Sequence, residues 1–535
     1  RSMPWWLLGV SMVACTFSCD TPNLVTDIVR TQGVAGNWAW WAFLLTGMMT
    51  VFVYAKLWRR SALDTDLGFY EIRYSGRPAA VLRGFRALYL GVFFNIMIMA
   101  TVSLAAIKIG QVMFGLSPVM TLVCASAGVA VYATLGGLTG SIWADFYQYT
   151  IAMVGAVFAA VYAVNSADVG GISSLKELFA NADVQAKMSM FPSGAGGVSA
   201  LMTVLILPVA VQWWNVWYPG AEPGGGGYIA QRMLSAKDEK NAVGATLLFN
   251  FLHYAMRPWP WIIVALVSLV QFPMTPPAEQ EAARAWLAEN AAVVEQYAAA
   301  KERMPAEARA QVRQRKADAA GVGSLARAFP KVDDQFLRND IAYPGMISTM
   351  PKGWLGLIVA SLIAAYMSTI ATHLNWGSSY VVQDFYARFV KRDLTPKQAV
   401  AVGRGTMLAL LVLSGLVALW MRNAKDSFDI LLQIGAGTGL LYILRWFWWR
   451  INAWSEISAM VISFAVACFF QWGAGPVGLE AAMRDAGLFN VMDYSAWKLV
   501  VGILLTTAGW LAVTYLTPPE KQEVLARFCS KIRAG

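Results

Sequence analysis

Apolar segments of about twenty residues recur along this chain, and they limit the folds open to it. A helix needs roughly twenty apolar residues to cross a bilayer, because backbone polar groups in lipid must pair within the segment. Hydrophobic residues make up 57% of the 535 residues and charged residues only 14%, unlike a soluble domain. We therefore predict an all-α polytopic membrane protein with about twelve transmembrane helices.

Basic residues lie mainly in the short loops between these segments. The formal net charge is +10, but Lys and Arg beside membrane spans mark the cytoplasmic side rather than a nucleic-acid surface. We therefore expect the lipid bilayer as a partner and no nucleic acid. Five cysteines and two histidines suggest neither a disulfide framework nor a metal cluster. The lack of an Asn-x-Ser/Thr sequence favours a bacterial origin, so we expect a multi-pass protein of the inner membrane.

The apolar segments also predict where the spans lie. A Gly-rich turn, Gly136–Asp145, should separate the fourth span from the fifth, and Phe272–Gly353 should form an external, partly helical insertion. The predicted spans are Trp5–Ser18, Trp38–Leu57, Leu88–Phe114, Val119–Leu135, Ile142–Val164, Val198–Tyr218, Val243–Val270, Leu355–Asn375, Ala401–Trp420, Phe428–Trp449, Ile457–Trp472 and Trp497–Leu516.

Two of these spans end in backbone that a helix tolerates poorly. The first gives way to CDTPN (Cys19–Asn23), and the sixth to PGAEPGGGGYIAQR (Pro219–Arg232). Interrupted helices at matching places in two halves indicate an inverted-repeat transporter with its binding site near the membrane midplane. We divide the chain into a first repeat (1–165), a second repeat (196–450, including the insertion 272–353), two peripheral helices (451–516) and a cytoplasmic tail (517–535).

Leu355–Asn375 contains two adjacent hydroxyls, Ser368 and Thr369, one turn after Ala364 and Ala365. Polar groups deep in an apolar helix need partners. Small and hydroxyl residues allow membrane helices to approach closely and to hydrogen-bond. Hydroxyl and carbonyl oxygens also suit a hard cation. From the residues alone both interpretations, helix packing and a cation site, remain open.

Five stretches together are similar to those of a known family. They occur in the family's order between the first residue and about Asn452, and the chain resembles the sodium:solute symporter family. The resemblance implies two inverted five-helix repeats, coupled sodium and solute uptake, and a family helix upstream that this chain lacks. The stretches are Arg1–Ala14, Phe69–Tyr74 (FYEIRY), Gly136–Gln148 (GGLTGSIWADFYQ), Tyr228–Ala242 (YIAQRMLSAKDEKNA) and Ala364–Tyr386.

The same resemblance implies a site for Na⁺, the coupling ion. Asp145 would serve the ion on its inward exit path, although a carboxylate in water at the cytoplasmic rim, paired with an inner-loop Arg, is an equal alternative. The ligands carried over are the carbonyls of Ala14, Phe17 and Ala365 and the hydroxyls of Ser368 and Thr369.

The solute site is less well defined. Gln433 matches a glutamine that contacts sugar in some family members, whereas Gly224–Gly227 replaces their polar residues. Asp20 could line the solute site or a solvated outer vestibule, and His253 and Arg257 could belong to a gate or to helix packing. The candidate solute ligands are Ser18, Asp20, Thr21, Asn95, Gln212, Asn215 and Gln433.

These observations predict a sodium-coupled symporter that imports a small polar organic solute, with a sugar-like solute favoured. Proton coupling, an amino-acid or organic-acid solute, and a transport-derived sensor are the alternatives. An intramembrane enzyme would need a converging catalytic constellation, which two distant histidines do not supply. We expect a monomer or a weak oligomer.

Overall fold

A computed structural model of the chain describes residues 3–165, 179–192, 197–215, 222–421 and 424–532. Helices dominate these ranges, whose β pairing is limited to an isolated bridge between Met3 and Ala236. Within them, 8 helices are long and apolar enough to span a membrane. The predicted all-α polytopic class is therefore confirmed.

The first predicted interruption is present, but it lies earlier than expected. Helix α1 ends at Thr16, Phe17 is extended (φ −93°, ψ 90°), and α2 begins at Asp20. Asp20 and Pro22 belong to the first turn of α2, where a carboxylate is favourable and a missing N–H costs little. The helices of this part are α1 (Trp5–Thr16), α2 (Asp20–Gln32), α3 (Val34–Ser61), α4 (Phe69–Arg73), α5 (Gly76–Phe114) and α6 (Pro118–Asn165).

Helix α6 contradicts the predicted turn at Gly136–Asp145. It continues without interruption for 48 residues, so the fourth and fifth predicted spans form one helix. Glycine lowers helix stability by only about 1 kcal/mol relative to alanine and does not forbid the helical conformation. With no proline in this stretch, nothing in the backbone chemistry requires the chain to turn.

The second predicted interruption is confirmed by the residues on either side of it. Helix α8 ends at Trp214, residues 222–226 are not helical, and Gly224 and Gly225 have φ near +85° (86° and 84°), which favours glycine. Residues 216–221, which include the end of the predicted sixth span, lie outside the described residues. The helices here are α7 (Ala182–Met188), α8 (Gly197–Trp214), α9 (Gly227–Ser235), α10 (Glu239–Asn250) and α11 (Pro258–Gln271).

The predicted seventh span is irregular, as expected. A π-helical turn, Phe251–Met256, separates α10 from α11, and Pro258 opens the second helix. Proline lacks the N–H that a continuous helix would need at this point. The turn places His253 and Arg257 beside the end of α1.

Helices occupy much of residues 272–353, in agreement with the partly helical character predicted for this insertion. Two buried contacts attach its last part to the helical core: Lys108 Nζ lies 2.5 Å from Asp340 Oδ2, and Arg30 Nε donates to Asn339 Oδ1 at 3.0 Å. The helices are α12 (Pro277–Glu289), α13 (Ala291–Ala300), α14 (Ala306–Ala319), α15 (Gly323–Ala328) and α16 (Ala342–Ser348).

The last part of the chain begins with the helix that carries Ser368 and Thr369. The predicted tenth span is broken into α19 and α20, with Gly437 at φ +81° between them. The helices are α17 (Lys352–Val390), α18 (Pro396–Trp420), α19 (Ala424–Gly435), α20 (Gly439–Leu444), α21 (Ala453–Gly473), α22 (Leu479–Asp485), α23 (Tyr494–Leu516) and α24 (Gln522–Ile532).

Helices α6 and α17 pack along each other, and α1 packs against both of them. The interrupted end of α1 therefore lies beside the middle of α17 and the carboxylate of Asp145 on α6. This arrangement creates the candidate site.

Candidate ion and solute site

The end of α1 presents carbonyl oxygens that a continuous helix would use internally. Phe17 N donates to Ala14 O at 3.1 Å, and Thr369 Oγ1 donates to Phe17 O at 3.4 Å. Ala365 is buried one turn before Thr369 on α17. The structure thus brings Phe17 and Thr369 into contact, with Ala14 and Ala365 beside them on their helices.

Ser368 points to a different partner. Its hydroxyl donates to Asp145 Oδ1 at 2.7 Å, and both side chains are buried. The hydrogen of the hydroxyl is thereby committed to the carboxylate, which leaves the lone pairs of its oxygen for other groups. The structure therefore joins Asp145 directly to the predicted pair of hydroxyls.

Asp145 has 0% of its surface exposed, so its carboxylate does not face water in this structure. Ser11 Oγ donates to its Oδ2 at 2.7 Å, and the guanidinium of Arg232 lies 3.6 Å from the same oxygen. Arg232 also donates to Ser11 Oγ and to Cys15 Sγ, at 3.3 and 3.0 Å. A buried carboxylate needs such partners, because an isolated charge is costly in a medium of low dielectric constant.

A cavity of about 100 Å³ adjoins this site. Ser18, Asp20 and Thr21 line it, as does Thr369. Ser18 Oγ and Asp20 Oδ1 are buried without a hydrogen-bond partner among the described residues. Other residues that line the cavity include Thr16, Trp40, Thr101, Tyr228, Arg257, His373 and Leu431.

The other four candidate solute ligands do not line this cavity. Asn95 Nδ2 donates to His373 O at 2.7 Å, and Gln212 Nε2 donates to Ala39 O at 2.5 Å. Asn215 and Gln433 make similar structural contacts. Asn215 Oδ1 accepts a hydrogen bond from Gly437 N at 2.9 Å, and Gln433 Nε2 donates to Lys498 O at 3.1 Å, on the side facing α23.

Arg257 supports the broken end of α1. Its guanidinium donates to Thr16 O at 2.7 Å and lies 3.2 Å from His253 Nε2. A cation near the carbonyl end of a helix is favourable, because the last carbonyls carry partial negative charge. Arg257 was expected to belong to a gate or to helix packing. In the structure it makes a helix-packing contact with α1, and the same side chain also lines the cavity.

Ser11, Cys15 and Arg232 had no predicted role. Ser11 and Cys15 are four residues apart and therefore lie on one face of α1. That spacing could have indicated Ser11 and Cys15 as candidate site residues. Arg232 could have been indicated by its place in the stretch that resembles a family motif.

Comparison with known proteins defines the family. The model of the sodium:solute symporter family matches residues 1–291 and 323–463. This chain belongs to the sodium:solute symporter family. Members are multi-pass membrane transporters of small solutes rather than enzymes.

Several relatives in the family are sodium-coupled transporters by name. The sodium/glucose cotransporter of Vibrio parahaemolyticus is 20% identical over 92% of this chain and 81% of its own length. The sodium/sialic acid symporter SiaT of Proteus mirabilis is 23% identical over 88% of this chain and 83% of its own length. A solved structure of a Na⁺-coupled sialic acid symporter, described as substrate-bound and outward-open, superposes with a TM-score of 0.68. It is 19% identical and covers 97% of this chain and 91% of its own, so the likeness concerns the fold.

Proposed function

We propose that this family member is a sodium-coupled symporter that imports a small polar organic solute by alternating access. One observation carries the proposal: Thr369 both contacts the freed carbonyl of Phe17 and lines the cavity. An ion held there would lie beside the solute. Binding of one could then change the affinity for the other.

The proposed ion site uses oxygen ligands alone. These ligands are uncharged oxygens of the kind that suits a hard cation. They are the carbonyls of Ala14, Phe17 and Ala365 and the hydroxyls of Ser368 and Thr369. Because the ligands come from α1 in the first repeat and α17 in the second, the ion would bridge the repeats. It would therefore favour the arrangement in which both sets of oxygens face each other.

We further propose that Asp145 supplies negative charge to the ion on its exit path. Its Oδ1 accepts the hydrogen of Ser368, an arrangement that turns the lone pairs of the hydroxyl away from the carboxylate. Arg232, 3.6 Å from Oδ2, would balance the charge of Asp145 when the ion has left.

We propose a sugar-like solute for the cavity. Asp20, Ser18 and Thr21 can exchange hydrogen bonds with hydroxyl groups, and Trp40 and Tyr228 offer aromatic surface. Two relatives are named for glucose and sialic acid, which supports this class of solute. The other four candidate ligands remain proposals, and their present partners indicate that they would contact solute only after a rearrangement.

Uptake into proteoliposomes tests the proposal. A panel of sugars, sugar acids and amino acids would be compared with an inward sodium gradient, with an inward proton gradient, and with neither. We expect accumulation only with the sodium gradient. Uptake driven equally well by the proton gradient without sodium would refute the proposed coupling, and accumulation of amino acids alone would refute the sugar-like solute.

A further inference from the structure

A second cavity, of about 440 Å³, is larger than the one beside the proposed ion site. It separates α24 from the segment between α4 and α5. A volume of this size is within the range of small-ligand sites, about 300–1,000 Å³. The side chains that matter for its chemistry are Glu71, Ser75, Arg388, Arg527, Phe528 and Lys531.

The lining carries more positive than negative charge. Glu71 pairs with Arg388 and with Arg83, so its carboxylate is already satisfied. Among the described residues, Lys531 makes no ion pair, and the hydrogen bond of the Arg527 side chain is to the carbonyl of Glu523, at 3.4 Å. The two cations on α24 are therefore available to an anion.

Backbone donors add to this charge. Helix α5 begins at Gly76, and Ser75, Gly76 and Ala79 all line the cavity. The first N–H groups of a helix lack partners within the helix and carry partial positive charge. Ser75 Oγ is directed elsewhere, since it donates to Glu520 Oε2 at 2.7 Å. The start of a helix and cationic side chains thus line one space.

The surroundings indicate that the cavity lies where a membrane surface would be. Its lining includes Gly76, the first residue of the candidate span 76–114, and Arg388, near the end of the candidate span 352–390. The helices that contribute Ala79 and Arg388 to its lining also carry exposed apolar side chains: Val81 is 57%, Phe85 42% and Phe389 48% exposed. Cationic groups bordered by exposed apolar surface match the division of a phospholipid between headgroup and acyl chain.

We propose that this cavity binds a phosphate-bearing anion, whose source is the headgroup of an acidic phospholipid. The family match ends at residue 463, so α24, which supplies Arg527 and Lys531, lies outside it. The rest of the lining lies within the matched residues, and the proposal does not depend on the proposed transport function.

Occupation of the cavity has a structural consequence. Phe528 lies 5.6 Å from the ring of Phe69 and 6.0 Å from that of Trp446, and the guanidinium of Arg73 lies over it at 5.5 Å. The helix α24 therefore packs on both α4 and the segment after α20. An anion that binds more tightly when α24 is packed in this way would stabilise the packed arrangement.

Thermal unfolding of the purified full chain tests the site. The probes are lipid nanodiscs of phosphatidylcholine with increasing phosphatidylglycerol and, separately, detergent-solubilised protein with inorganic phosphate. Arg527→Gln with Lys531→Gln removes two exposed cations. Lys391→Gln with Lys521→Gln is the matched control, because it removes two exposed charges that do not line the cavity.

We expect phosphatidylglycerol to raise the unfolding temperature of the wild type. The Arg527/Lys531 variant should require about thirtyfold more of it, since a basic residue near an anionic surface contributes about 1 kcal/mol. The control should behave like the wild type. Stabilisation by inorganic phosphate alone, lost in the Arg527/Lys531 variant, would support the anion site but overturn the lipid source. Stabilisation by neither probe, or an equal loss in the control, would overturn the proposal.

Discussion

Replacement of Ser368 by alanine separates the two interpretations of the adjacent hydroxyls. Ser368→Ala removes one proposed oxygen ligand of the ion and the donor 2.7 Å from Asp145 Oδ1. A polar contact to a charged group contributes roughly 1.5–3 kcal/mol, and 1.4 kcal/mol is a factor of ten in affinity. We therefore expect the sodium concentration for half-saturation to rise roughly 10- to 150-fold.

The assay is a sodium titration at constant ionic strength, with choline replacing sodium. Half-saturation is measured from the unfolding temperature of the purified protein and, independently, from uptake. A ligand that binds only the folded state raises the free energy of unfolding with the logarithm of the ratio of its concentration to its dissociation constant. The unfolding temperature therefore reports sodium binding without any solute.

Ser361→Ala is the matched control. Ser361 is buried on the same helix, and its hydroxyl donates to Ile358 O at 2.8 Å, within its own helix. It also faces Gly155 on α6, as a helix-packing serine should. Equal sodium half-saturation in the wild type, Ser361→Ala and Ser368→Ala would refute the ion site and leave Ser368 with a packing role.

Three further substitutions test other parts of the structure. Asp145→Asn keeps the size of the side chain but removes its charge, so sodium half-saturation should rise at least about tenfold in the same titration; an unchanged value would separate Asp145 from the ion. Asp20→Asn should raise the solute KM with little change in sodium half-saturation, and an unaltered KM would place Asp20 outside the solute site. Lys108→Met leaves Asp340 as an unpaired buried charge and should destabilise the protein by about 3–5 kcal/mol, measured as a lower unfolding temperature. Adding Asp340→Asn should restore most of the loss, and failure to do so would show that the pair is not the cause.

The most informative difference between expectation and structure concerns which way the polar side chains point. Gln433 matched a family glutamine that contacts sugar, yet its amide donates to Lys498 O on α23. The predicted spans are apolar on all sides, so they lack the amphipathic stripe that would orient a helix about its axis. Position along a span could therefore be predicted, whereas the direction of a side chain could not.

The predicted turn at Gly136–Asp145 failed for a related reason. Glycine permits a turn but also permits a helix, and neighbouring helices decide between them. The interruption after α1 was predictable, because Asp20 and Pro22 act on the backbone locally. Its displacement to Phe17–Cys19 follows from the ability of both residues to occupy a first helical turn.

The sequence by itself determined the membrane class, the two interrupted helices and the family, because apolar length, helix-breaking residues and ordered motifs are local properties of the chain. It also singled out Ser368, Thr369 and Asp145. Only the tertiary structure decided that Asp145 accepts the hydrogen of Ser368 and that Ser11 and Arg232 share the same carboxylate. The two serine hydrogen bonds join residues 134 and 223 positions apart, and packing of separate helices, rather than any local pattern, brings all of these residues together.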